Sequence, residues 1–343
     1  MQYPSQMQDP SPGPALTLPP RPLTRDGAMR RVGVELEMKG PPIEVLSALV
    51  AAHVHGQVEA ISRYEHRIAG DAAGHWLVEL DFAYLKQRGR ERRAGDGVLA
   101  QLDDVAEELL AAGSEVLVPT EVVSPPLPMD RLGEIDALIA RLRDAGARGT
   151  RDGLAFAFGM HLNPEMPDTD ARTITSYLKA FLCLFEWLRE RCHVDLLRRL
   201  TVYIDPFPVE YVRRVVDPSY WPGMDELIDD YLRDNPTRNR ALDMLPLFAF
   251  VDEARVRAVL DDPRIKPRPA LHYRLPNCEI DSPGWGVRLA WHDWLQVERL
   301  AADDARLEEV CTQYCDYLER PLGRLMDDWV EIVEPWLEDP GAL

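Results

Sequence analysis

Long apolar runs are missing from this 343-residue chain. None approaches the roughly 20 residues a helix needs to cross a bilayer, so no membrane span is expected. The N-terminus, MQYPSQMQDPSPGPALTLPPRPL, lacks the charged-then-apolar build of a secretory signal; it is rich in Pro, Ser and Gln. Cysteine is scarce. Five are present, at 183, 192, 278, 311 and 315, with no C-x-x-C pair and no even framework. That excludes a disulfide scaffold and fits the reduced thiols of a cytoplasmic protein. Lysine is scarcer still, four of the 39 basic residues, and these face 58 acidic ones for a net charge of −19. A nucleic-acid groove built on bulk charge is therefore not expected. No Walker A pattern, no G-x-G-x-x-G and no internal repeat is present, so any nucleotide must be held by other means.

What is present is enough apolar residue, 46%, to bury a large core. Residues 1–27 read as a disordered or extended Pro-rich arm, and residues 28–343 as one domain. The pattern predicts a strand at Arg31–Met38 and a helix opening after Pro42. Strand-like segments follow at Gln57–Gly70 and His75–Leu85, with a glycine turn between them. KQRGRERRAGDG is a basic loop, and VLAQLDDVAEELLAAG an amphipathic helix ending at Gly113. EVLVPTEVVSPPL is a strand stopped by Pro125–Pro126. A helix with Leu132, Ile135, Leu138, Ile139 and Leu142 inward comes next, then an apolar strand at Gly153–Met166. Arg172–Leu200 reads as one or two helices, and Val202–Asp262 as short helices among prolines and aromatics. A strand and turn at Ala270–Trp285 precede closing helices at Arg288–Ala302 and Ala305–Leu337. Early hairpins followed by blocks of helix indicate an α+β fold with a mostly antiparallel sheet.

The strands carry an unusual polar load. A strand alternates its side chains, so Glu35 and Glu37 in RVGVELEMKG share one face, about 7 Å apart. Glu79 and Asp81 repeat the i, i+2 spacing in WLVELDF, as do His272 and Arg274 in LHYRLPN. Glu121 follows EVLVPT, and His161 sits in FAFGMHLN. Carboxylates inside an apolar sheet are costly to bury unpaired. A divalent cation held by oxygen ligands and a histidine relieves that cost. Mg²⁺ or Mn²⁺ suits such donors and commonly bridges nucleotide phosphates. Arg238 and Arg240, in NPTRNRALDMLP, are candidates for gripping phosphate or a substrate carboxylate, since arginine forks match both.

In order along the chain, RVGVELEMKG, WLVELD, TEVVSPPL, GMHLN and HYRLPN resemble the amidoligase family, within the glutamine synthetase and glutamate–cysteine ligase superfamily of carboxylate–amine ligases. The resemblance spans roughly Arg31 to Trp294. It implies a glutamine synthetase-like fold, a curved, mostly antiparallel sheet holding Mg²⁺ and ATP on one face with helices packed on the convex side. It also implies ATP-dependent joining of a carboxylate to an amine, the two being small molecules or peptides; the family analogy admits a glutamine amidotransferase partner. Glu35 and Glu37 match the first-strand metal pair and Glu121 a further metal-binding glutamate. Glu79 or Asp81 takes the acidic position on the tryptophan-bearing strand. His161 matches a histidine near the nucleotide phosphates, and Arg274 the arginine of a late E-x-R strand. The glutamate of that late strand is here His272, a departure that removes a negative charge; Glu279, in the next turn, is the alternative carboxylate. Two other outcomes follow from the same residues: a non-catalytic relative that binds nucleotide and metal, and a metal-dependent hydrolase of amides or phosphoesters.

Overall fold

The computed structural model of the protein describes residues 15–80, 119–150, 158–192, 205–320 and 328–338. The strands are β1 Arg31–Met38, β2 Gln57–Ser62, β3 Glu65–Asp71, β4 Gly74–Leu80, β5 Thr120–Val123, β6 Leu127–Pro128, β7 Met160–Pro164, β8 Leu242–Asp243 and β9 His272–Tyr273. The helices are α1 Ile43–His53, α2 Glu134–Asp144, α3 Ala171–Arg191, α4 Val209–Val216, α5 Met224–Asp234, α6 Leu245–Val251, α7 Glu253–Val259, α8 Val287–Ala302, α9 Asp304–Glu319 and α10 Trp329–Val333. The basic run and the amphipathic helix expected before Gly113, and Asp81 itself, lie outside the described residues.

One sheet organises the molecule, in the order β2-β3-β4-β5-β1-β7-β9-β8, with β6 pairing β1 beside that path. Every pairing between these strands is antiparallel. The α+β class and the antiparallel sheet agree with expectation, whereas the curvature does not: the sheet is uncurled, with β2 and β8 at its two ends. Bulges are the usual source of bending, and register shifts occur in the β2–β3 and β3–β4 pairings but not where β1 meets β5 and β7. The segment expected as a strand at Gln57–Gly70 folds into a hairpin that turns at Arg63–Tyr64.

Alternation decides which face is which. On β1, Val32, Val34, Leu36 and Met38 are buried at 0–1% exposure, while Glu35 and Glu37 point the other way. Val78, Val122, Met160 and Leu162 join the apolar face, and helices cover it. Ser47 of α1 hydrogen-bonds His66 of β3 at 2.8 Å, and His53 meets the edge of Trp76 on β4. Phe181 of α3 and Trp294 of α8 pack on Tyr273 of β9, with ring centroids 6.0 and 5.1 Å away. The five residues expected inward on the helix before Gly146 are all buried.

The chain entering β1 is tied to α8 by a dry ion pair. Arg30 donates from Nη1 and Nη2 to Glu298 at 2.9 and 2.8 Å, and neither side chain is exposed. Arg30 also donates to the carbonyls of Glu165 and Arg21, while Glu298 accepts from Tyr177 and from Trp294 Nε1. Upstream, Trp291 Nε1 donates to the Thr17 carbonyl at 2.8 Å, so residues assigned to the arm from position 15 onward run along the body.

Candidate metal and nucleotide site

The polar face of the sheet floors a cleft of about 1080 Å³. Its walls come from the Thr24–Met29 turn, the residues after β7, Arg238 and Asn239, and the loop between α7 and β9. Cross-strand register sets the floor. Glu37 faces Glu121, Glu121 faces Glu79, and Glu79 faces Glu65, which places four carboxylates in one row across β1, β5, β4 and β3. Directly opposed residues hold their Cβ atoms about 5 Å apart, and like charges so placed destabilise a sheet. The row therefore favours a cation.

The group lying between Glu35 and Glu37 is His161, the cross-strand neighbour of Glu35 on β7. Its Nδ1 is 2.9 Å from Glu35 Oε2 and its Nε2 3.8 Å from Glu37 Oε1. In the tautomer that carries its proton on Nδ1, His161 donates to Glu35 and leaves the Nε2 lone pair free for an ion beside Glu37. Glu35 also accepts from Asn163 Nδ2 at 2.8 Å, and Glu37 from the Gly159 N–H at 2.6 Å. Burial by itself would raise the Glu35 carboxyl. His272, His161 and Arg268 beside it outweigh burial and hold it well below the usual range, so it is a carboxylate at neutral pH.

Two sets of ligand atoms lie within 4.8 Å of one another: Glu35, His161 and His272, and Glu37, Glu121 and His161. Carboxylate oxygens with imidazole nitrogen fit Mg²⁺ or Mn²⁺, and these residues are the ones that would hold such an ion. The sets are not equivalent. Arg268 Nη2 lies 3.0 Å from His272 Nδ1 and also donates to Asn163 Oδ1 at 2.7 Å. A guanidinium only donates, so His272 Nδ1 is already engaged. Burial pushes His272 well below the ordinary histidine value, with His161, Arg274 and Arg268 working in the same sense against the pull of Glu35.

Facing the carboxylates is a basic wall of Arg238, Arg264, Lys266, Arg268 and Arg274. Arg238 and Arg274 each keep a buried Nε with no hydrogen-bond partner, and so does Oδ2 of the buried Asp243, 3.9 Å from Arg238 Nε. Two expected residues fall elsewhere. Arg240 is buried and turned away, its guanidinium satisfying Asn235 Oδ1 at the end of α5 and the Pro206 carbonyl before α4. Glu279 sits in a local turn with Ser282 and does not line the cleft. Asn163 escaped the sequence reading although it lies two residues after His161, where strand alternation puts it on the same face. Arg264, Lys266 and Arg268 lie in a loop with no period to mark them.

Asp243 yields a stability prediction. Burial pushes its carboxyl up to about 6, against the pull of Arg238, the Leu245 N–H, Arg274 and Arg268. The folded value exceeds the unfolded one, near 3.9, so the folded state binds the proton more tightly. Its contribution is then fullest below pH 4 and is lost as pH rises through about 6. Asp243→Asn should stabilise the protein at pH 7 by on the order of 1–3 kcal/mol and change little at pH 4. Urea unfolding at the two pH values checks this; an asparagine variant weaker at pH 7 would refute it.

Residues 28–296 match a family model described as "putative amidoligase enzyme". The chain belongs to the amidoligase family. Comparisons with curated proteins and with solved structures each found no match. Membership in the amidoligases points to a ligase-type enzyme with small-molecule substrates, and the matched span contains every cleft residue named above apart from those of the Thr24–Met29 turn that precede Ala28. Among the described residues no helix is long and apolar enough to cross a membrane.

Proposed function

We propose that this amidoligase is an ATP- and divalent-metal-dependent carboxylate–amine ligase with a site of the glutamine synthetase type, forming an amide or isopeptide bond through an acyl phosphate. The observation that supports this is the two-sided cleft: carboxylates and histidines on the sheet face an arginine wall within one cavity. A carboxylate does not react with an amine unaided, because oxide is a poor leaving group. Transfer of the γ-phosphoryl group of ATP to the carboxylate oxygen converts that oxygen into a phosphate leaving group, which the amine then displaces. Bound Mg²⁺ or Mn²⁺ would neutralise phosphate charge and orient its oxygens. Arg238 and Arg274, whose Nε groups lack partners, provide donors for the transferred phosphoryl group. Asn163 and His161 hold Glu35 in place from two directions.

The expected result is release of ADP and phosphate that requires both a carboxylate and an amine, screened over amino acids, short peptides and small amines. Glu121→Gln should lose that turnover by at least about 100-fold. A wild-type protein that binds neither Mn²⁺ nor Mg-ATP by calorimetry would overturn the proposal. The engagement of His272 by Arg268 favours a second reading, a nucleotide-binding relative without turnover. It predicts binding without ADP release, and activity gained in His272→Glu.

A further inference from the structure

Cleft-facing positions on β1 run Arg31, Gly33, Glu35, Glu37, and one of them carries no side chain. Glycine in the interior of a central strand costs stability relative to alanine, because it adds entropy to the unfolded chain and packs nothing. At some other positions the reason for glycine is steric. A Cβ at Gly56 would lie 2.1 Å from the Ala69 carbonyl oxygen, and one at Gly149 2.0 Å from that of Cys278. Gly33 has no such reason. It is not among the glycines with positive φ, and a Cβ built on it would meet nothing nearer than Asn163 Cβ at 3.5 Å, an ordinary contact. Neither the backbone nor the packing of the protein requires glycine there.

A bare strand position that borders a cleft is where a ligand can approach the backbone. Gly33 lies two residues before Glu35 and directly opposite Asn163, which Arg268 holds from the basic wall. The bare floor thus lies one strand period away from the carboxylate groups, on the side where the arginines begin. A nucleotide whose terminal phosphates met a cation held at Glu35 and His161 would have its next phosphate and ribose to place on the neighbouring floor, and Gly33 borders that floor. We infer that Gly33 is a nucleotide-contacting residue: the α-phosphate and ribose of the bound nucleotide lie against its Cα, in space that any side chain would fill. This inference rests on the nucleotide-dependent reading above and assigns to it a residue that makes no polar contact.

The test is Gly33→Ala, the smallest change that fills the floor, with three ligands measured by calorimetry: Mn²⁺ alone, pyrophosphate with Mn²⁺, and Mg-ATP. Pyrophosphate mimics the β and γ phosphates and stops short of Gly33. The expected outcome is a Kd for Mg-ATP raised at least tenfold, Mn²⁺ and pyrophosphate within twofold of wild type, and a Tm equal to or above wild type. Unchanged Mg-ATP affinity in Gly33→Ala, with wild type binding normally, overturns the inference alone. Parallel loss of all three ligands, or a lowered Tm, also overturns it, since the glycine would then serve the fold. A wild type that binds Mn²⁺ but no Mg-ATP overturns the nucleotide reading and this inference with it.

Discussion

His161→Ala should weaken Mn²⁺ binding at both candidate groups by at least about 100-fold, a loss larger than that for an outer-shell partner, and abolish turnover. His161 is the one residue common to the two sets of ligand atoms. Removing it deletes a donor from each, and it also leaves Glu35 and Glu37 facing each other without the imidazole that separates them. The neighbouring substitutions should be asymmetric. Glu121→Gln should remove one Mn²⁺ and spare the other, because Glu121 belongs only to the Glu37 group. His272→Ala should spare the Glu37 group, and its effect on the Glu35 group should be smaller than that of Glu35→Gln, since Arg268 already occupies Nδ1. Manganese titrations followed by electron paramagnetic resonance give the stoichiometry directly. Two tightly bound ions in His161→Ala would show that the histidine is structural and that the ions sit elsewhere.

The second large effect concerns stability. Arg30→Met should destabilise the fold by about 3–5 kcal/mol, the usual cost of stranding one partner of a buried pair. Glu298 would be left without exposure to water, keeping only Tyr177 and Trp294 as donors. Arg30→Met with Glu298→Leu should recover part of the loss, because no bare charge remains, but not all of it. The carbonyls of Arg21 and Glu165 would still lose their donor, and Tyr177 and Trp294 their acceptor. A double-mutant cycle by chemical denaturation reads the coupling, expected above about 1 kcal/mol. Strictly additive losses would mean the two side chains act independently.

The period-two logic of a strand made part of this site legible. Glu35 and Glu37 fall on the polar face of β1 because Val34, Leu36 and Met38 must go to the core, and the same alternation places His161 beside them. Alternation says nothing about which residues of different strands become neighbours. That Glu37, Glu121, Glu79 and Glu65 form one row depends on registers fixed by turns such as Arg63–Tyr64, and no spacing along the chain encodes it. The arginines show the opposite failure. Arg238 and Arg240 look equivalent in TRNRAL, yet one lines the cleft and the other caps the Pro206 carbonyl. Their segment is not a strand, so an i, i+2 spacing there implies no shared face. The α+β class was readable from helix and hairpin patterns. That the sheet stays uncurled, with β2 and β8 at its ends, was not, since it depends on how the strands pair.

The tie between Arg30 and Glu298 joins residues 268 positions apart, and β1, the first strand of the sheet in sequence, lies in its interior. On a ribosome adding roughly 5–20 residues per second, Glu298 follows Arg30 by on the order of 10–50 s. Through that interval β1 cannot gain its β7 neighbour until residue 164 has emerged, and an arginine destined for a dry site stays hydrated. Hairpin β2–β3–β4 is local and can form early; the cleft cannot, because its floor waits for β7 and its basic wall for the residues before β9. Translation thus delivers the acidic half of the cleft well before the arginines that face it, and the nascent chain spends tens of seconds as an unfinished sheet with open edges. Synthesis, more than the finished fold, is therefore the stage at which the unpaired edges of this sheet stand open to other chains.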